Sequence, residues 1–63
     1  MTKNQAIKAI SLLTSGTIAH IIGSTKYSAI DNAVNTWILK AADMEEEAFK
    51  TCESWMDVLE AIK

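Results

Sequence analysis

Between Ser24 and Lys63 this chain contains neither glycine nor proline, yet its apolar residues recur every three or four positions without a gap: Ile30, Val34, Trp37, Ala41, Met44, Ala48, Cys52, Trp55, Leu59 and Ile62. That spacing is the period of one helix face, and no stretch of the chain alternates with the period of a strand. The fold class that follows is all-α, a small bundle of three to four helices forming a single domain over residues 1–63. Two readings of the long seam stay open. A cap at Asp43, with Glu46 reciprocating three residues later, divides it into a third and a fourth helix. Alternatively it is one unbroken helix of roughly 35 residues and about 50 Å, which only a second chain could cover.

The first forty residues are easier to divide. Thr2 followed by Gln5 is a capping box for a helix over residues 3–14, with Ala6, Ile7, Ile10 and Leu13 as its stripe and Ala9 and Leu12 widening it. Ser15-Gly16 is expected to end that helix, and Gly23 to end a short second one over 17–22. A third helix opens between Ser24 and Ser28. In the C-terminal part, Ala48, Cys52, Trp55, Leu59 and Ile62 are expected as a buried seam, with Phe49 and Met56 beside it.

Size limits what this core can supply. Folding 63 residues removes roughly 6,000 Å² from water, worth about 90 kcal/mol if ~3,600 Å² is apolar, against about 95 kcal/mol for ordering the chain. The two nearly cancel, so outside help is expected. Cys52 is the only cysteine, which excludes an internal disulfide, and no His/Cys cluster points to a structural metal. A second copy of the chain is the remaining source of help, and a homodimer is the expectation. The single cysteine and the absence of an N-x-S/T sequon point to a reducing, cytoplasmic setting. The first residues do not read as a signal peptide, and no apolar run is long enough for a membrane span.

The charges are sorted. Residues 1–42 carry Lys3, Lys8, Lys26 and Lys40 against Asp31, a balance of +3, whereas residues 43–63 carry seven acids against Lys50 and Lys63, a balance of −5; together they give the net −2. Such sorting fits two faces for two partners, or for a second copy of the chain.

Three constellations bear on function. Thr17-Ile18-Ala19-His20-Ile21-Ile22-Gly23-Ser24 has helix-turn-helix grammar: a small Ala for close packing and a Gly four residues later for the turn. The apolar residue expected six positions after the Gly comes one late, as Ile30, so the turn needs an extra residue. On that reading Thr25, Lys26, Tyr27, Ser28, Asn32 and Asn35 face a DNA groove, where hydroxyls and Lys position and amides read adenine. Asp31 on the same face and the lack of any Arg oppose it; the plain alternative is an α-hairpin with a Gly-capped turn. Second, Glu53, Asp57 and Glu60 at i, i+4 and i+7 form a carboxylate row for a basic partner, or else a solvated face that keeps the protein in solution. Third, Tyr27 falls off the apolar stripe beside Lys26, as a contact residue or a local packing one.

Nothing signals catalysis. His20, the only histidine, has no orienting acid or nucleophile nearby, and reads as an exposed helix residue. Cys52 lies in an apolar seam and reads as a buried thiol. No phosphate loop, HExxH, CxxC or GxSxG is present. Trp37 and Trp55 sit on apolar stripes, either closing the core or, for one of them, anchoring an interface. The expectation is a non-catalytic interaction protein without cofactor or metal, of the kind mobile elements such as phages use to inhibit or regulate a host macromolecule. Its partner surface is expected at Lys26, Tyr27, Asn32, Asn35, Glu53, Asp57 and Glu60. The alternative is a dimeric DNA-binding regulator that uses residues 17–36.

Overall fold

The first helix starts where its caps are. In the computed structural model, which describes residues 1–63, the Thr2 hydroxyl accepts from the Gln5 N–H at 3.1 Å and the Gln5 side chain accepts from the Thr2 N–H at 2.9 Å. This reciprocal pair satisfies two of the amides that a helix start leaves free, and α1 runs Lys3–Ser11. Thr14 then caps α2, Ser15–Ile22, accepting from the Thr17 N–H at 3.2 Å. Ser15 and Gly16, expected to close the first helix, therefore lie in the first turn of the second. Gly16 is exposed there, and the threonine pair Thr14/Thr17 sets the boundary instead. Leu12, expected to widen the stripe of α1, sits at its C-cap and is 70% exposed.

Gly23 ends α2 as expected. Its φ of 69° and ψ of 29° are left-handed, and its N–H donates to the Ala19 carbonyl at 2.9 Å; a side chain at this position would be strained. After the connection of residues 23–26, α3 runs Tyr27–Asp43. The long seam breaks there, so the continuous helix is not the structure of this chain. The break follows Asp43 rather than being capped by it: Asp43 is the last residue of α3, and Met44 (ψ 156°) and Glu45 (ψ 154°) are extended. Residues Glu46–Phe49 form a single 3-10 turn, and α4 covers Trp55–Ala61. The start of α4 is fixed by Asp57, whose Oδ2 accepts from the Glu53 N–H at 2.9 Å and the Ser54 N–H at 3.3 Å.

The expected fourth-helix seam is thus distributed over a 3-10 turn, a loop and a short helix. The fully buried residues are not quite those expected. Phe49, placed at the flank, is at the centre with 0% exposure, and Val58 is fully buried, whereas Ala48, Trp55 and Leu59 are half-buried. The main core joins Ala6 and Ile10 of α1, Ala41 of α3, and Phe49, Cys52, Val58 and Ile62 of the C-terminal segment. α1 is the shared element, packing against α3, α4 and the 3-10 turn. Long-range hydrogen bonds fasten the same end: the Met1 ammonium donates to the Phe49 and Cys52 carbonyls at 2.9 and 3.1 Å, and the Lys3 N–H to Glu46 Oε1 at 2.9 Å.

The molecule is elongated, 33 × 19 × 17 Å. Its surface of 4359 Å² exceeds the about 4,000 Å² expected for its mass, which reflects an arm at one end. Ile18 of α2 and Ile30 of α3 are buried but stand apart from the main core, and α2 packs chiefly against α3. Ile18→Ala is therefore expected to loosen α2 locally by about 2 kcal/mol. Hydrogen exchange should then accelerate roughly thirty-fold in α2 amides while α1 and α4 amides keep their rates; equal acceleration throughout would make the arm part of one cooperative unit.

No helix is long and apolar enough to cross a membrane.

Candidate functional site

α3 is the only helix long enough to serve two purposes along its whole length. Its inner side buries Ile30 and Ala41, with Val34, Trp37 and Ile38 partly covered against the main core. Its outer side is free. Tyr27, Asp31, Asn35, Leu39 and Asp43 follow one another at i+4 and are all exposed, and beside them Ser28, Asn32, Thr36 and Lys40 form a second exposed i+4 row. Rows at this spacing are the ridges by which helices pack into grooves. Lys26 is exposed at the N-cap of α3, where no side chain caps the helix. Three of the expected contact residues, Tyr27, Asn32 and Asn35, are thus exposed along α3, with Lys26 exposed at its N-cap.

The apolar members of this surface stand out. Tyr27 is 80% and Leu39 70% exposed, twelve residues or about 18 Å apart along the axis. Tyr27 is among the expected contact residues and Leu39 is not, although its position off the Ile30–Ala41 stripe marks it in the same way. Next to the outer side, between the end of α2 and α3, lies an open groove of about 400 Å³ lined by Ile22, Ala33 and Trp37, with Asn32 and Thr36 at its edge. Trp37 therefore belongs both to the periphery of the core and to a surface groove.

The second expected cluster is arranged differently. Glu53 precedes α4 and is not on the helix with Asp57 and Glu60. Asp57 is engaged in starting α4, and Glu60 Oε2 pairs with Lys63 Nζ at 3.0 Å, both largely exposed. Such exposed pairs contribute little. Asp57 and Glu60 line one shallow groove, Glu53 stands before the helix, and two of the three carboxylates have partners within the chain. Glu46, from the same acidic segment, is likewise held by the Lys3 N–H. His20 is exposed on α2, and Cys52 is a buried free thiol. Trp55 is half-buried at the start of α4, outside the set that packs on the main core.

The charge of the outer side of α3 is balanced: Lys26 and Lys40 against Asp31 and Asp43. The +3 balance of residues 1–42 is thus not concentrated here, since Lys3 and Lys8 belong to α1. Comparison with protein-family models, with curated proteins and with solved structures gave no match.

Proposed function

We propose that this chain is a non-catalytic interaction protein that binds a host protein through the outer side of α3 and inhibits or regulates it by covering its surface, in the manner of small proteins carried by mobile elements. The observation that carries this reading is the exposed i+4 row Tyr27–Asp31–Asn35–Leu39, with an aromatic and an aliphatic anchor, on a helix whose other side is fixed in the core. Tyrosine in particular brings large contact area at low conformational cost, and interface energy concentrates on a few such anchors. The groove with Trp37, lined by Asn32 and Thr36 of the neighbouring exposed row, gives a partner side chain a place to enter.

The DNA-binding alternative draws on the same elements: α2, the Gly23 turn and α3, with Thr25, Lys26, Ser28, Asn32 and Asn35 all exposed. Charge favours the protein-binding reading. Duplex binding is driven by neutralising phosphates, and this side of α3 carries no net positive charge, with Asp31 between Tyr27 and Asn35.

Affinity capture from lysate with and without nuclease tests the reading. A protein is expected to be retained equally in both arms. The double variant Tyr27→Ala, Leu39→Ala is expected to weaken that capture at least a hundred-fold, at about 2 kcal/mol per anchor, while keeping the far-UV circular dichroism of the parent. Capture abolished by nuclease, salt-sensitive, and lost on Lys26→Glu would instead support the DNA regulator.

A further inference from the structure

The turn between α3 and the 3-10 segment contains no residue that forbids a helix. There is no glycine or proline from Ser24 onward, and the one positive φ in the chain is at Gly23. Met44 (φ −84°, ψ 156°) and Glu45 (φ −73°, ψ 154°) alone separate the two helical segments. Their φ values already lie near those of a helix, so turning two ψ angles to about −42° would join α3 to Glu46–Phe49. The run Met44-Glu45-Glu46-Glu47-Ala48 consists of strong helix formers. The product would be one helix over residues 27–49, about 34 Å long, with Ala41, Met44 and Ala48 still on one side of it.

That rotation cannot be completed by one chain alone. Four of the seven members of the main core, Phe49, Cys52, Val58 and Ile62, follow the hinge. Straightening lifts them from α1 and puts Phe49 and Val58, now fully buried, into water. A second straightened chain repairs the loss at once. Residues 46–63 of each copy meet α1 of the other through contacts that already exist within one chain, the Lys3 N–H to Glu46 bond included. No new complementary surface is required.

We infer that this chain forms a homodimer by exchange of residues 46–63, with Met44 and Glu45 becoming helical. The inference does not depend on what the outer side of α3 binds. Only the hinge distinguishes the two forms, so concentration and hinge chemistry set their ratio. Exchange passes through loss of the main core, so the two forms interconvert slowly and are sorted at refolding.

Proline at position 45 separates the forms. The observed φ of −73° suits it, Met44 before it is extended as proline requires, and the Glu45 N–H makes no backbone hydrogen bond. Inside a helix the same proline removes a bond and clashes, lowering the dimer association constant by about 10⁴-fold over two hinges. Parent, Glu45→Ala and Glu45→Pro are unfolded in denaturant, refolded at micromolar and at millimolar concentration, and measured by size exclusion with light scattering. Parent and Glu45→Ala are expected to give dimer at millimolar concentration that survives dilution, and Glu45→Pro only monomer with parental circular dichroism. A parent that is monomeric throughout, or a Glu45→Pro variant that dimerises as the parent does, overturns the inference. Should Glu45→Pro not fold, refolding labelled with unlabelled parent decides: contacts between α1 and the 3-10 turn are expected to run between chains in the dimer, and contacts only within one chain overturn it.

Discussion

Phe49→Ala is expected to destabilise the protein by about 3–5 kcal/mol, the largest effect of any single truncation in its core. Phe49 is completely buried in the main core, and removing such a ring costs about 3–5 kcal/mol in lost transfer energy and cavity. A domain of 63 residues has roughly 3–9 kcal/mol in total at ~0.05–0.15 per residue, so one truncation removes from about a third to all of it. The site is also a junction, because the Phe49 carbonyl accepts from the Met1 ammonium. Circular dichroism with urea titration reads the effect. Met56→Ala, at an exposed position of α4, is the control and should stay within about 0.5 kcal/mol of the parent. A Phe49→Ala protein as stable as Met56→Ala would mean that the C-terminal segment does not close the core.

Ala6→Leu tests the opposite error, too much volume. Ala6 on α1 and Ala41 on α3 are both at zero exposure, in the main core that the packing of these two helices helps to form. Leucine is nearly as good a helix former as alanine, so the substitution leaves helix propensity almost unchanged and acts through packing. Overfilling a closed contact costs about 1–3 kcal/mol, and at this size each kcal/mol lowers Tm by about 4–8 °C. A fall of roughly ten degrees is expected for Ala6→Leu, and similarly for Ala41→Leu. Ala42→Leu, one position along on the exposed side of α3, should leave Tm almost unchanged. If Ala6→Leu melts with the parent, α1 and α3 do not approach as closely as their alanines indicate.

Much of the helical skeleton was legible because its signals are local. The Thr2/Gln5 box, the left-handed Gly23 and the Ile30–Ala41 stripe each depend on residues within a turn or two of one another, and each sits where the sequence placed it. The failures share a cause as well. Gly16 reads as a stop because glycine usually ends helices, but Thr14 outcompetes it by supplying a cap just upstream. Asp43 with Glu46 resembles a capping box as strongly as Ser54 with Asp57 does; the chain uses the Asp57 carboxylate and leaves Asp43 inside α3. The apolar period continues unbroken through the turn, so periodicity could not show that the chain folds back. What selects the turn within one chain is long-range: Phe49 reaches its own chain's core only if the chain reverses, and the Met1 and Lys3 hydrogen bonds that hold it span more than forty residues. For the candidate surface, Lys26, Tyr27, Asn32 and Asn35 were legible as residues off the apolar stripe. The row Glu53–Asp57–Glu60 is not, because Glu53 stands in a loop before the short α4 rather than on one helix with the other two.

Whether the chain reverses after Asp43, leaving the outer side of α3 free for a partner, is read by backbone chemical shifts of the isotopically labelled protein at micromolar concentration. Extended shifts at Met44 and Glu45, between helical shifts over 27–43 and 55–61, are the expected result. Helical shifts running without interruption from 27 to 62 would contradict the fold, and with it the site built upon it.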